Sequence, residues 1–104
     1  MTLNRDLRMA RELSFKKHRS RSVVFSFRHP DQGLVTYTWT LPENRREAAI
    51  TRSYGDTAWV IGRNISDFEI KETDDSIRFR ITAMAPEPKE SPPTFTLDGQ
   101  VIKR

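Results

Sequence analysis

Histidines and carboxylates are the side chains of this chain that could act as general acids and bases or as metal ligands. His18 lies in a basic run and His29 precedes a proline, and neither belongs to a recognised motif with a serine nucleophile. The chain has no cysteine, which excludes a thiolate nucleophile and a thiolate metal site. We therefore expect no catalytic residues and a chain that is not an enzyme.

Acidic residues gather around one polar turn, at Asp67, Glu69, Glu72, Asp74 and Asp75. Carboxylate oxygens bind hard cations, but the segment lacks the regularly spaced ligands and the glycine of a calcium loop. The glycines of the chain are isolated and form no phosphate-binding loop. The pattern favours solvated acids at a hairpin turn, so we expect no metal and no cofactor.

Basic residues are concentrated at the start of the chain, which has a formal net charge of +4. Residues 1–28 contain eight of the 18 Lys and Arg residues and two of the 14 acidic residues. One interpretation is a small basic module in which residues 5–28 contact nucleic-acid phosphates. The other is a solvated helix face followed by a polar turn, which we favour because Phe15 is the only aromatic among residues 1–22.

Residues 3–14 are predicted to form an amphipathic helix. Its apolar face carries Leu3, Leu7, Ala10 and Leu13, spaced by three or four residues. Its basic face carries Arg5, Arg8 and Arg11. Because a helix this short is unstable alone in water, it must pack against another element. Residues 16–22 contain no apolar side chain and are predicted to be a connection.

Alternation of apolar and polar residues predicts an antiparallel sheet over residues 23–84. Two hairpins are expected within it, one joining residues 23–28 to 34–41 and one between residues 67 and 84. One helical stripe can cover one face of such a sheet. We therefore predict an α+β fold, in which the N-terminal helix packs on the antiparallel sheet.

The end of the chain is less regular. Residues 85–93 hold four of the six prolines and are predicted to be a loop. Residues 94–104 are predicted to be a strand pair or a single strand with a tail, and Asp98-Gly99 is a turn signal. No repeat or second apolar region is visible, so residues 1–104 are interpreted as a single domain.

Short motifs follow one another along residues 3–84, and their order resembles that of pilin-like proteins. Their positions are Asp6, Leu7, Arg8 and Ala10; Val35, Tyr37 and Trp39; Ile50 and Arg52; and Ile61, Asn64, Ile65 and Phe68. The chain is similar in this respect to the soluble domains of minor pseudopilins of type II secretion and of minor type IV pilins. These belong to the prepilin-type N-terminal methylation family.

The resemblance implies a non-catalytic structural subunit of a bacterial envelope filament. The expected partners are other pilin-like subunits and the inner membrane, contacted through an N-terminal helix absent from this chain. The soluble domain would then lie in the periplasm or outside the cell. Under this hypothesis the apolar helix face, Leu3, Leu7, Ala10 and Leu13, docks on the sheet. Arg5, Arg8 and Arg11 face neighbouring subunits or solvent.

Overall fold

The computed structural model describes residues 2–85 and 94–103, which form one helix and seven strands. The elements in chain order are α1 (Thr2–Met9), β1 (Arg11–Arg19), β2 (Ser22–His29), β3 (Gly33–Thr40), β4 (Ala48–Tyr54), β5 (Thr57–Glu72), β6 (Ser76–Met84) and β7 (Thr94–Ile102). The strands form one antiparallel sheet in which each strand lies beside its neighbours in sequence. The prediction of an α+β fold is therefore wrong, because the described part of the chain is nearly all-β, and its one short helix does not form the predicted helix-on-sheet layer.

Helix α1 ends at Met9, so the predicted helix over residues 3–14 is confirmed for residues 3–9 and wrong for residues 10–14. Ala10 lies between α1 and β1, and Leu13 lies in β1. Glu12 has a φ of 55°, a left-handed conformation through which a right-handed helix cannot continue. Residues 11–19 pair with β2, with Phe15 opposite Phe25. Pairing of β1 with β2 partly buries Leu13 and Phe15 against the core. The stabilisation from these tertiary contacts outweighs the preference for a helix that the local spacing indicates.

The two predicted hairpins are confirmed. In the first, β2 pairs with β3 so that Phe25 lies opposite Tyr37, and its turn ends at Gly33 with a φ of 76°. Glycine adopts this left-handed conformation without steric cost. In the second hairpin, the C-terminal part of β5 pairs with β6, and Ile70 lies opposite Phe79. Alternating apolar residues fix both registers, because a slip of one residue would expose the whole apolar face.

Two predictions about connections are wrong. Residues 16–19, predicted to be part of a connection, belong to β1, which continues to Arg19. Strand β7 passes through Asp98-Gly99 without turning, because Gly99 pairs with Phe79 of β6, so the predicted turn is wrong and the alternative of a single strand is confirmed. The predicted proline-rich loop lies, apart from residue 85, outside the described residues.

The sheet curls into a half-barrel with the core on its concave face. The ring of Phe68 in β5 lies 6.2 Å from that of Phe25 in β2 and 6.4 Å from that of Trp39 in β3, between centroids. Strands β2 and β5 are separated by two others in the sheet, so these contacts require strong curvature. A bulge beside Asn64, which has a φ of 57°, helps the long strand β5 to bend.

Helix α1 lies inside this curve. Leu3 and Leu7 are buried with the core residues of the sheet, and the helix backbone approaches β7. Across the described residues, no helix has the length and apolar character needed to cross a bilayer. The half-barrel and its enclosed helix therefore form one core, bounded by the two edge strands β1 and β7.

Candidate functional site

A buried ion pair ties the helix to the sheet. Nε of Arg52 lies 2.6 Å from Oδ2 of Asp6, and Nη2 of Arg52 lies 3.1 Å from Oδ1. The side chains of Asp6 and Arg52 are only 3% and 4% exposed. In this two-point geometry the planar guanidinium of Arg52 faces the planar carboxylate of Asp6. The pair therefore balances the two charges and also holds α1 in one position against β4.

Tyr37 and Gln32 each form a hydrogen bond with one member of this ion pair. The Tyr37 hydroxyl donates to Oδ2 of Asp6 at 2.5 Å, and Nη2 of Arg52 donates to Oε1 of Gln32 at 2.5 Å. Burial, reinforced by the Asp6 carboxylate, raises the pKa of Tyr37 well above its ordinary value. The hydrogen bond with Asp6 raises the pKa of Arg52 further. Tyr37 therefore remains a donor and Arg52 remains a cation.

Two aromatic rings cover the guanidinium group of Arg52. Its Cζ lies 5.5 Å from the ring centroid of Tyr54 and 5.3 Å from that of Trp59. The carboxylate of Asp6 already accepts hydrogen bonds from Arg52 and Tyr37, so it is not poised as a general base. We interpret this group, Asp6, Gln32, Tyr37, Arg52 and the two rings, as a structural clamp for α1.

A different surface is open to a partner, the first part of edge strand β7. Residues 94–98 are all exposed, with Phe95 65% and Leu97 47% exposed. Phe95 lies opposite Ala83 and Leu97 lies opposite Ile81, so both share the concave face with the core. We call residues 94–98 the open edge, because no other strand of the described residues pairs with β7 on that side.

An apolar groove of about 320 Å³ adjoins the open edge. Its apolar lining includes Ile50, Ile61, Ile65, Ile81, Ala83, Phe95 and Leu97. Large exposed apolar side chains beside an apolar groove are typical of an interaction surface. The open edge therefore offers backbone hydrogen-bonding groups and an apolar face together.

The opposite edge, β1, is protected against strand pairing. It carries exposed charges at Arg11, Glu12, Lys16, Lys17 and Arg19. It also has two register shifts against β2, whereas β7 pairs with β6 without a shift. Charges and bulges on an edge strand discourage pairing with another chain. Strand β7 has a single charge, Asp98, which forms an ion pair with Arg80 at 2.7 Å.

The structure separates the residues predicted to form one helical site. Leu3 and Leu7 lie in the core, whereas Ala10 and Leu13 lie outside the helix and are only partly buried. The arginines of the predicted basic face, Arg5, Arg8 and Arg11, are exposed, and Arg11 begins β1. The predicted interaction of one continuous helix face with the sheet is therefore wrong for Ala10 and Leu13.

Both histidines contact residues close to them in the chain. Nδ1 of His29 accepts the backbone N–H groups of Asp31 and Gln32 at 3.0 and 3.2 Å, which stabilises the β2–β3 turn. The ring of His18 stacks on Phe15, with centroids 4.8 Å apart. Among the described residues, no cluster of three or more histidine or acidic side chains is placed to hold a metal.

Sequence reasoning named Asp6, Tyr37 and Arg52 only as motif positions of the resemblance, so it predicted neither their contact in the clamp nor the open edge. Arg52 occupies a concave-face position two residues after the buried Ile50, and a charge at such a position signals a buried partner. Comparisons with protein-family models, with curated proteins and with solved structures found no match to this chain. Function is therefore inferred from side-chain geometry.

Proposed function

We propose that this chain is a non-catalytic assembly subunit that joins a second copy of itself through the open edge of β7. The observation that carries the proposal is the exposure of Phe95 and Leu97 on an edge strand beside an apolar groove. Adding a strand satisfies the free backbone groups of an edge and buries alternate side chains at the same time.

The sequence of β7 is compatible with pairing to itself in one antiparallel register. When Leu97 lies opposite Leu97 of the second copy, Phe95 lies beside Gly99 and Thr96 lies opposite Asp98. Phe95 and Leu97 of each copy then contact the apolar side of the other copy's β7, and no two like charges lie opposite each other. Shifting the centre to Asp98 would place two carboxylates directly opposite, which destabilises a strand pair.

The difference between the two edges supports a closed dimer. Pairing of β7 with β7 is isologous and stops at two copies. Pairing of β7 with β1 would instead continue into a fibre, and the charges and bulges of β1 oppose it. The second copy thus has one preferred docking edge.

Sedimentation equilibrium over a range of protein concentrations tests the dimer. We expect a reversible dimer for the native sequence and a monomer for Leu97→Lys, because the lysine would place a charge in the apolar pair. Leu34→Lys is the matched control, since Leu34 is an exposed leucine on β3, 55% exposed and away from the open edge. It should remain dimeric.

Circular dichroism shows whether both lysine variants retain the fold. A native chain that stays monomeric at every concentration would contradict the proposal. A folded Leu97→Lys variant that dimerises as well as the native chain would also contradict it.

The envelope-filament hypothesis is more specific than this proposal, because it names the kind of assembly, and it stays a prediction. It shares the expectation of a non-catalytic subunit that contacts other subunits, but it rests on the order of short motifs, and the α+β fold expected with it is wrong. Neighbouring genes that encode other filament subunits would support it. A filament that assembles equally well without this chain would oppose it.

Nucleic-acid binding is the second candidate, favoured by one observation. The eight basic residues between positions 5 and 28 are all exposed. Two of them have other contacts, since Arg28 pairs with Glu12 at 2.7 Å and Arg21 donates to the Pro42 carbonyl. Binding to a short DNA duplex should weaken as salt increases if these residues contact phosphates. Absence of binding at physiological salt would reject this candidate.

A further inference from the structure

The apolar groove beside the open edge has the size and lining of a small ligand site. Its volume of about 320 Å³ lies at the lower end of the roughly 300–1,000 Å³ that is typical of small-molecule sites. Its rim is accessible and apolar, since Phe95 and Leu97 are exposed and Ile61 and Ala83 are half-buried. Three almost completely buried side chains form the floor beneath this rim: Ile50, Ile65 and Ile81. A ligand can therefore reach apolar side chains of the rim from solvent without displacing the core.

Among the described residues, Arg63 is the only charged residue that lines this groove, and no acidic residue lines it. Arg63 is exposed, and within residues 2–85 and 94–103 no carboxylate lies within ion-pair distance of it. The guanidinium group is always cationic and can donate two parallel hydrogen bonds to a carboxylate. An apolar rim with this one cation is therefore complementary to an apolar molecule that carries a single anion.

A local irregularity of β5 brings Arg63 to the groove. In a regular strand successive side chains point to opposite faces, yet Gly62 and Arg63 both line the groove. The register of β5 against β4 shifts in this stretch, so that β5 has one extra residue, and the next residue, Asn64, is left-handed with a φ of 57°. Bulges of this kind re-aim the side chains beside them, which explains how a cation can lie next to an apolar surface.

We propose that this groove binds a medium-chain aliphatic carboxylate. The alkyl chain lies along Ile61, Ala83 and Phe95, and the carboxylate accepts hydrogen bonds from Arg63. Pairing of β7 with itself leaves the groove open, because the residue of the second copy beside Phe95 is Gly99, which has no side chain to enter it. The site is therefore accessible in the monomer and in the proposed dimer, and it does not depend on self-pairing.

Isothermal titration calorimetry with octanoate and 1-octanol tests the proposal on the full chain. We expect octanoate to bind more tightly than octanol, because only the acid carries the anion. A shorter acid, hexanoate, should bind more weakly, by up to about fourfold per methylene group lost. Equal affinity for the acid and the alcohol, or no dependence on chain length, would overturn the proposal.

Filling the groove from β5 locates the alkyl chain. Gly62 is not left-handed, and a β-carbon there would contact the Ile65 side chain at an ordinary 3.6 Å, so a larger side chain occupies the groove without backbone strain. Gly62→Leu should abolish octanoate binding and remain dimeric in sedimentation equilibrium, since Gly62 does not lie on β7. Val60→Leu is the matched control, because Val60 is exposed on the same strand and does not line the groove. Octanoate binding by Gly62→Leu as tight as by Val60→Leu would overturn the site.

Charge variants locate the carboxylate. Arg63→Gln should weaken octanoate binding by about two- to fivefold, as expected for a solvent-accessible ion pair, without changing octanol binding. Lys71→Gln is the matched control, because Lys71 is an exposed cation on the same strand that does not line this groove. Equal losses in the two variants, or no loss in Arg63→Gln, would overturn the assignment of the carboxylate to Arg63.

Discussion

Asp6 of helix α1 and Arg52 of strand β4 form a two-point ion pair inside the half-barrel, although they are 46 positions apart in the chain. Both side chains are almost completely buried, and Tyr37 donates to the same carboxylate. A helix of eight residues is too short to be stable alone, so its position depends on Leu3, Leu7 and this clamp.

Removing one partner of the clamp should cost more than replacing both. Asp6→Asn leaves the Arg52 cation buried without a counter-charge, so we expect the free energy of unfolding to fall by about 3–5 kcal/mol. The double variant Asp6→Leu/Arg52→Met removes both charges and should be more stable than Asp6→Asn. Urea unfolding monitored by circular dichroism measures both. A double variant less stable than the single one would contradict the buried pair.

Tyr37 should make the fold sensitive to alkaline pH. Its pKa is raised in the folded state above the ordinary value of 10.0, mainly by burial, so folding favours the neutral phenol. The stabilisation is complete below about pH 10 and is lost as the pH rises further, because the unfolded chain then releases the proton. Urea midpoints from pH 8 upwards should fall above about pH 10, and less steeply in Tyr37→Phe.

Tyr54→Phe is the control for this experiment, because Tyr54 is the other tyrosine of the chain and is only partly buried. It should retain the alkaline fall of the native chain. Identical pH profiles for Tyr37→Phe and the native chain would contradict the role assigned to the buried phenol.

Gly99 should tolerate no side chain while Phe79 covers it. The β-carbon of Gly99→Ala would lie 2.1 Å from the Phe79 ring, so the ring must move and the variant should lose about 1–3 kcal/mol of stability. Gly62→Ala is a milder change in another strand, since its β-carbon would have its nearest neighbour at 3.6 Å. Thermal unfolding compares them, and equal stability of the two variants would contradict the ring position.

The strands with clear alternation were predictable from the sequence. Apolar residues recur at every second position, as at Phe25 and Phe27 in β2 and at Phe79 and Ile81 in β6, and burying them on one face leaves only one register. The helix boundary was not predictable in this way. Leu13 fits a helical spacing from Ala10 and also a strand spacing with Phe15, and only pairing with β2 decides between them.

The candidate sites depend on contacts that local patterns do not encode. Asp6 and Arg52 meet because the sheet curls, and the curvature follows from packing across the barrel, including the contact of Phe68 with Phe25. The open edge is visible only once β7 is known to be the last strand of the sheet. The local pattern Asp98-Gly99 predicted a turn. In the structure the glycine is needed for another reason, because a side chain at position 99 would occupy the space of the Phe79 ring.

Disulfide trapping tests the central claim, self-pairing of β7 around Leu97, most directly. The native chain has no cysteine, so single substitutions report only the contact that they introduce. Directly opposed residues in antiparallel strands have Cα atoms roughly 4.5–5.5 Å apart, within the range that a disulfide can bridge. Leu34→Cys provides the background rate for an exposed residue away from this edge.

The account predicts that Leu97→Cys forms a covalent dimer rapidly on mild oxidation, and that Asp98→Cys and Leu34→Cys do so slowly. Rapid trapping through Asp98→Cys instead would contradict the register. Trapping of Leu97→Cys no faster than Leu34→Cys would contradict pairing through β7 altogether.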